Sequence, residues 1–265
     1  MRFMSIASGS SGNASYIGSE QTHILVDAGI TMKAVSEGLA GLGLSLRDLD
    51  AIVLTHEHID HVRSVGAIQR KYGIPVYATF GTLRELLLMR QLGELDRGCL
   101  HPILPDMDFS IGDLGIRPFS ISHDAQDPVG YRVACGAKSC AVATDLGQYD
   151  EYILDHLKAA DVLLVESNHD IGMLSGGPYP MALKRRILSG RGHLSNDSAG
   201  QLLDAVLHPD IRHVFLGHLS EENNQPDLAL RTVRREIDSS ESSHRSKDVD
   251  ITVAERHRPS EIIEF

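Results

Sequence analysis

The segment Thr55-His56-Glu57-His58-Ile59-Asp60-His61 directly follows the apolar run Ala51-Ile52-Val53-Leu54. His56 and His58 are two positions apart, so in an extended chain both rings leave the same face. Asp60 and His61 fall where a helix starts and can turn toward a second point nearby. One short segment can therefore serve two metal ions. The alternative is a solvated histidine cluster, but three imidazoles and a carboxylate at a buried strand end are costly without a metal or partner charges.

The same grammar recurs along the chain. The run His23-Ile24-Leu25-Val26 ends in Asp27, Ile116 to Ser122 ends in His123, and Cys140 to Thr144 ends in Asp145. Val162 to Val165 ends in Glu166, and His213 to Gly217 ends in His218. Ligand-type residues at several strand ends can converge on one edge of a sheet, where open α/β architectures place their sites. Taken singly each signal is weak, since a lone histidine is more often structural and a lone aspartate more often a turn residue.

The elements that must position these residues are short. Strands are expected near 2–7, 14–18, 22–26, 51–55, 75–78, 115–121, 129–135, 139–144, 161–166, 212–217 and 250–255. Helical spacing covers roughly 31–41, 61–72, 82–92, 149–158, 179–189, 197–207 and 226–237. Hairpin-like strands followed by strand-helix units predict an α/β protein with layered sheets and helices outside. One domain over 1–265 is expected, with a Gly- and Pro-rich mobile flap at 172–192 around a short basic helix.

Composition bounds the function. The 265 residues are 42% hydrophobic, enough for a large core, which excludes overall disorder. No apolar run reaches membrane-span length and the opening residues lack a secretory layout, so a cytoplasmic protein without membrane attachment is expected. Cys99, Cys135 and Cys140 match no zinc-ribbon spacing and read as reduced thiols. A net charge of −11 repels nucleic acid at long range, so any such role needs a local basic patch. The informative excess is 14 histidines, since neutral imidazole is the commonest transition-metal ligand. No obligate protein partner is evident.

The HxHxDH segment, with a later His, Asp and His in that order, resembles the metallo-β-lactamase superfamily of dinuclear hydrolases. Further motifs narrow the resemblance to its YycJ/WalJ/VicX branch, which is exonuclease-like. They are Ser8-Gly9-Ser10-Ser11-Gly12-Asn13, Val26-Asp27-Ala28-Gly29, Ile121 to Ala125, Glu166-Ser167-Asn168-His169-Asp170 and Gly192-His193-Leu194-Ser195-Asn196. The resemblance implies a single-domain αββα sandwich. It implies one metal on His56, His58 and His123, another on Asp60, His61 and His218, and Asp145 as the bridge. Zinc is expected first, with manganese or iron compatible. Asp27 would support the histidine loop, and His169 would lie behind the ligands.

The branch also resembles β-CASP nucleases, whose acidic residue and additional histidine match Glu166 and His193. Their large inserted domain has no room here. The implied reaction is two-metal hydrolysis of a phosphodiester, with 5′-to-3′ polarity from the resemblance alone. Asp60 would orient the attacking water, and His193, held by Glu166, would protonate the leaving oxygen. Ser195 or Asn196 can cap the helix through Leu207 and border a phosphate there. Lys184, Arg185, Arg186 and Arg191 form the best basic cluster for DNA, weighed evenly against a solvated helix face.

The competing function is a hydrolase of small esters, thioesters or lactones using the same centre. A diiron redox module is disfavoured because His58 stands where such proteins carry Glu, and a metal-free binding protein because the ligand set is complete. Ser8 to Gly12 resembles a phosphate loop, but no Gly-Lys-Ser/Thr follows and a hairpin turn is favoured, its edge bordering the site.

Overall fold

Aliphatic runs punctuated by Gly, Asp and His form strands, as the sequence pattern predicts, and their ends set the positions of the site residues. The computed structural model describes residues 1–242 and 244–265. Its backbone separates into two units, Met1–Ser120 with Ala125–Lys138 and Glu255–Phe265, and Ile121–Asp124 with Ser139–Ala254.

In the first unit β1 (Arg2–Ala7), β2 (Ala14–Gly18) and β3 (His23–Val26) form an antiparallel meander. The chain then turns parallel through α1 (Met32–Ala40) and β4 (Ala51–Val53). Two short helices follow, α2 (Ile59–Val62) and α3 (Val65–Tyr72), then β5 (Val76–Thr79), α4 (Phe80–Leu88) and β6 (Leu100–Ile103). The C-terminal strand Ile263–Glu264 closes the other side against β1. An antiparallel ribbon of β7 (Phe109–Ile111), β8 (Leu114–Ser120) and β9 (Val129–Cys135) belongs to the same unit. Met4, Ile6, Leu25 and Ile52 pack with Val35, Leu39, Val62 and Ile68 from the helices to form its core.

The pairing of Val26 with Val53 aligns the ends of β3 and β4, so Asp27 and the Thr55-His56 segment leave the sheet side by side. The expected helix 61–72 is broken instead. Ser64 bonds the Ala28 carbonyl through both its amide, at 2.9 Å, and its hydroxyl, at 3.0 Å, and this ends α2. The break leaves Asp60 and His61 on their own short turn.

The second unit has four parallel strands, β10 (Lys138–Ala143), β11 (Val162–Glu166), β12 (His213–Gly217) and β13 (Ile251–Val253). Strands β11 and β12 are buried throughout, as expected for parallel strands covered on both faces. Helices α5 (Glu151–Leu157), α6 (Ile171–Gly176), α7 (Met181–Ile187), α8 (Asn196–Val206) and α9 (Pro226–Ser239) connect them. The register pairs Ala143 with Val165 and Glu166 with Gly217, so the carboxyl ends of three strands align. Asp145, Glu166 and His218 stand at those ends.

Candidate functional site

In the first unit, Asp27 is the organising carboxylate. Its Oδ1 accepts from the Thr55 amide at 2.9 Å, and its Oδ2 accepts from the Thr55 hydroxyl at 2.9 Å and from His61 Nδ1 at 2.8 Å. Because the Thr55 hydroxyl donates to Asp27, its lone pair accepts from His56 Nδ1 at 3.0 Å. Both rings are thereby fixed with Nδ1 protonated and Nε2 carrying the lone pair, one of the two tautomers in which an imidazole can bind a metal. The His56 and His58 rings lie 4.6 Å apart and those of His56 and His61 4.1 Å apart. His58 occupies the N-cap position of α2, and Asp60 lies in its first turn.

The second unit repeats the pattern. His123 Nδ1 faces the Gly192 carbonyl at 3.2 Å and His218 Nδ1 donates to Glu166 Oε1 at 2.8 Å, so both present Nε2. Those two Nε2 atoms lie 3.6 and 3.5 Å from the same oxygen, Asp145 Oδ1. In the first unit His61 Nε2 and Asp60 Oδ2 are likewise 3.6 Å apart. These separations exceed a good hydrogen bond and match the ~3.4 Å between two ligands each about 2.1 Å from one tetrahedral ion. The donor set of each unit therefore fits a divalent metal.

Glu166 is fully buried and saturated. Its Oε1 accepts from His193 Nδ1 and His218 Nδ1, each at 2.8 Å, while Oε2 accepts from the amides of Leu146 at 2.8 Å and Leu194 at 3.1 Å. Burial alone would raise this acid, but the charges and hydrogen bonds of His193 and His218 outweigh it and hold the carboxyl at about 2. Burial likewise opposes charge on His193, yet Glu166 and then Asp145 outweigh it and raise the imidazole above its ordinary value.

Backbone strain marks the same positions. Asp27, Asp145 and His218 have φ of 62°, 57° and 55°, a left-handed conformation that costs about 1–3 kcal/mol for a residue other than glycine. Each sits just past a strand end, where the turn aims its side chain.

The remaining predicted residues are placed as follows. His169 is buried with neither ring nitrogen hydrogen-bonded, and burial pushes it down to about 4, so it is neutral. Lys184 is buried, donating to the carbonyls of Ser175 at 2.7 Å and Gly177 at 2.8 Å. Arg186 pairs with Asp124, and Arg191 donates to the His123 carbonyl at 3.2 Å. Arg185 is exposed. The Ser195 hydroxyl caps α8 at the Ser198 amide, and Asn196 is buried against Ser167 and Asn224.

Three positioning residues escape sequence reasoning. Asn13 Nδ2 lies 3.0 Å from His61 Nε2, and the Asn13 backbone donates to the Asp60 carbonyl at 2.7 Å. Thr55 links three groups, as described. Glu57 accepts from the Gln126 amide at 2.8 Å and anchors the loop between His56 and His58. Gly29 explains the tight joint here, because a Cβ there would fall 1.6 Å from the Asp60 carbonyl oxygen.

Residues 22–219 match the β-lactamase superfamily domain. The chain is 38% identical to exodeoxyribonuclease WalJ of Streptococcus pneumoniae over 89% of this chain and 88% of that protein. It is 34% identical to exodeoxyribonuclease YycJ of Bacillus anthracis over 90% and 89% respectively. Among solved structures, the metallo-β-lactamase fold protein YhfI from Bacillus subtilis superposes with a TM-score of 0.72 at 18% identity, covering 98% of this chain and all of that one. Zinc-bound PqqB from Methylobacterium extorquens gives 0.73 at 16% identity over the whole of both chains. The fold, two mixed β-sheets flanked by helices, is the one the resemblance implied. The chain belongs to the β-lactamase superfamily and has its metal-dependent hydrolase fold.

Proposed function

We propose that the chain is a metal-dependent exonuclease that hydrolyses phosphodiester bonds in DNA. The observation that carries this reading is the pairing of buried Glu166 with partly exposed His193, which would store a proton for a poor leaving group, in a chain 38% identical to an exodeoxyribonuclease over 89% of its length. One ion would be held by His56, His58 and His123, the other by Asp60, His61 and His218, with Asp145 as bridge and zinc ahead of manganese or iron. When bound, such ions supply Lewis acidity that activates water and neutralises charge on the phosphoryl oxygens.

The remaining work falls to side chains. Asp27 and Thr55 hold His56 and His61 in one tautomer, and Glu166 does the same for His218. Asp60 orients the attacking water. Glu166 stays ionised and holds His193 Nδ1, which directs the Nε2 proton outward. His193 gives that proton to the departing sugar oxygen, which without it would leave as an unstable alkoxide. Arg185, Arg186 and Arg191 are the exposed members of the basic cluster and would track a phosphate backbone, Arg186 while paired with Asp124. We read the setting as cytoplasmic, where Cys99, Cys135 and Cys140 would stay reduced.

The net charge of −11 favours a second reading, a hydrolase of small esters, thioesters or lactones. The separating experiment incubates metal-loaded protein with end-labelled single- and double-stranded DNA and RNA beside chromogenic phosphodiester, thioester and lactone substrates. Release of mononucleotides from DNA ends is expected. Turnover confined to thioesters or lactones would install the second reading.

A further inference from the structure

A cavity of about 400 Å³ in the first unit is lined by residues close in sequence to the candidate ligand turn, Ser11 and Arg63 among them. Its polar wall carries Arg63, Arg256, His257 and the hydroxyls of Ser11 and Thr31, and Ile6, Ile30 and Pro259 contribute an apolar side. Among the described residues, the side chains of Ser11, Arg63 and His257 make no hydrogen bond or ion pair with the protein, and the Arg63 amide donates to the Ile59 carbonyl at 3.1 Å. The one acid on the lining, Glu37, stands six residues along α1 from Thr31, a rise of about 9 Å, and faces Lys33 at 3.6 Å. Arg256, anchored on Ser10, puts positive charge at the Ser11 side of the lining, and Glu37 lies further along α1.

The wall is built rather than incidental. The segment bearing Arg256 and His257 is pinned on both sides, to β1 and to Ser8 just beyond it. On one side the Ser8 amide donates to the Glu255 carbonyl at 3.0 Å; on the other the Ser260 amide donates to the Ser5 carbonyl at 2.8 Å and the Ser5 amide to the Ser260 hydroxyl at 3.0 Å. Arg256 is oriented by donating to the Ser10 hydroxyl at 3.2 Å. The position is also telling. Ser11 is two residues before Asn13, which touches His61, and Arg63 is two residues after His61. Two residues of extended chain reach about 7 Å, so the cationic end of the cavity adjoins the ligand turn.

We infer that this cavity binds one nucleotide unit, its phosphate on Arg63, Arg256 and Ser11 and its base against Ile30 and Pro259. The guanidinium fork and a hydroxyl suit a phosphate, and a flat apolar wall suits a base. The volume falls in the range of small-molecule sites. The occupant is either the nucleotide neighbouring the scissile bond or a free nucleotide. The first source rests on the exonuclease reading above.

The probe is 8-azido-deoxyadenosine monophosphate, applied to the full metal-loaded chain and mapped by peptide. Saturable labelling of residues 30–38 or 255–260 is expected, competed by deoxyadenosine monophosphate at least tenfold better than by deoxyadenosine. The double variant Arg63→Gln, Arg256→Gln should lose labelling at least tenfold. Ala34→Glu, which adds a negative charge to the lining from a helix-compatible residue, should do the same with both arginines in place. Circular dichroism and metal content check that each variant is folded. Labelling that does not saturate, that maps only elsewhere, or that survives both variants would overturn the inference. If the KM for single-stranded DNA rises in the same variants, the occupant is part of the strand; if it stays constant while labelling is lost, the occupant is a free nucleotide. A wild-type chain that labels here yet releases no nucleotide from DNA would sink the exonuclease reading alone.

Discussion

Glu166 Oε1 accepts the Nδ1 proton of His193 at 2.8 Å, and the same oxygen accepts from His218 at the same distance. One carboxylate therefore orients both the proposed proton donor and a candidate metal ligand. The pH dependence follows from the first of these. His193 is raised above its ordinary value, so its protonated fraction, and with it turnover of DNA, falls as pH rises through the folded pKa. The groups facing it are Glu166, Asp145 and His218. In Glu166→Gln the supporting charge is lost, and the falling limb of the kcat profile should move to lower pH. An unmoved limb would detach the profile from His193.

Asp27 should act on metal affinity without touching the reaction. Asp27→Asn keeps the shape but cannot accept from His61 Nδ1 and from both groups of Thr55 as the carboxylate does. The expected loss is about 10- to 100-fold in metal affinity, read by competition with a chelating dye.

Acid stability carries a separate signature. The folded pKa of Glu166, about 2, is depressed from an ordinary 4.5, so its stabilising contribution is complete above the unfolded value. It is lost progressively as pH falls from about 4.5 toward 2. Urea midpoints of the metal-free chain across that window should drop more steeply than those of Glu166→Gln.

Lys184 and Arg185 are neighbours with opposite expectations. Lys184→Ala leaves the Ser175 and Gly177 carbonyls without their buried donor and should cost about 1–3 kcal/mol of stability. Arg185→Ala should leave stability within error, weaken DNA binding, and reduce the slope of log K against log salt by about 1. Equal destabilisation by both would remove the distinction.

What could be read from the amino acids alone follows the range of the interactions. The His56–His61 cluster is legible because its histidines and aspartate are adjacent in the chain, and the alignment of Asp145, Glu166 and His218 because each follows an apolar run whose parallel register aligns it with the others. Asn13 and Glu57 are not legible, since their partners lie 48 and 69 residues away. Lys184 reads as part of a basic run because nothing local announces that its ammonium folds back onto two carbonyls. Strand β6 escapes because Pro102 interrupts it at a sheet edge, where a missing amide is tolerated. The helix break at Ser64 depends on the carbonyl of Ala28, distant in sequence.

The most direct test compares His193→Ala with the unmodified chain on two substrates at matched metal content. DNA has a sugar alkoxide as its leaving group and needs the proton, whereas a nitrophenyl phosphodiester leaves without it. The account predicts a fall of about 10²- to 10⁴-fold on DNA, a much smaller fall on the nitrophenyl substrate, and two metal equivalents in both proteins. Similar losses on both substrates, with the metals retained, would contradict it.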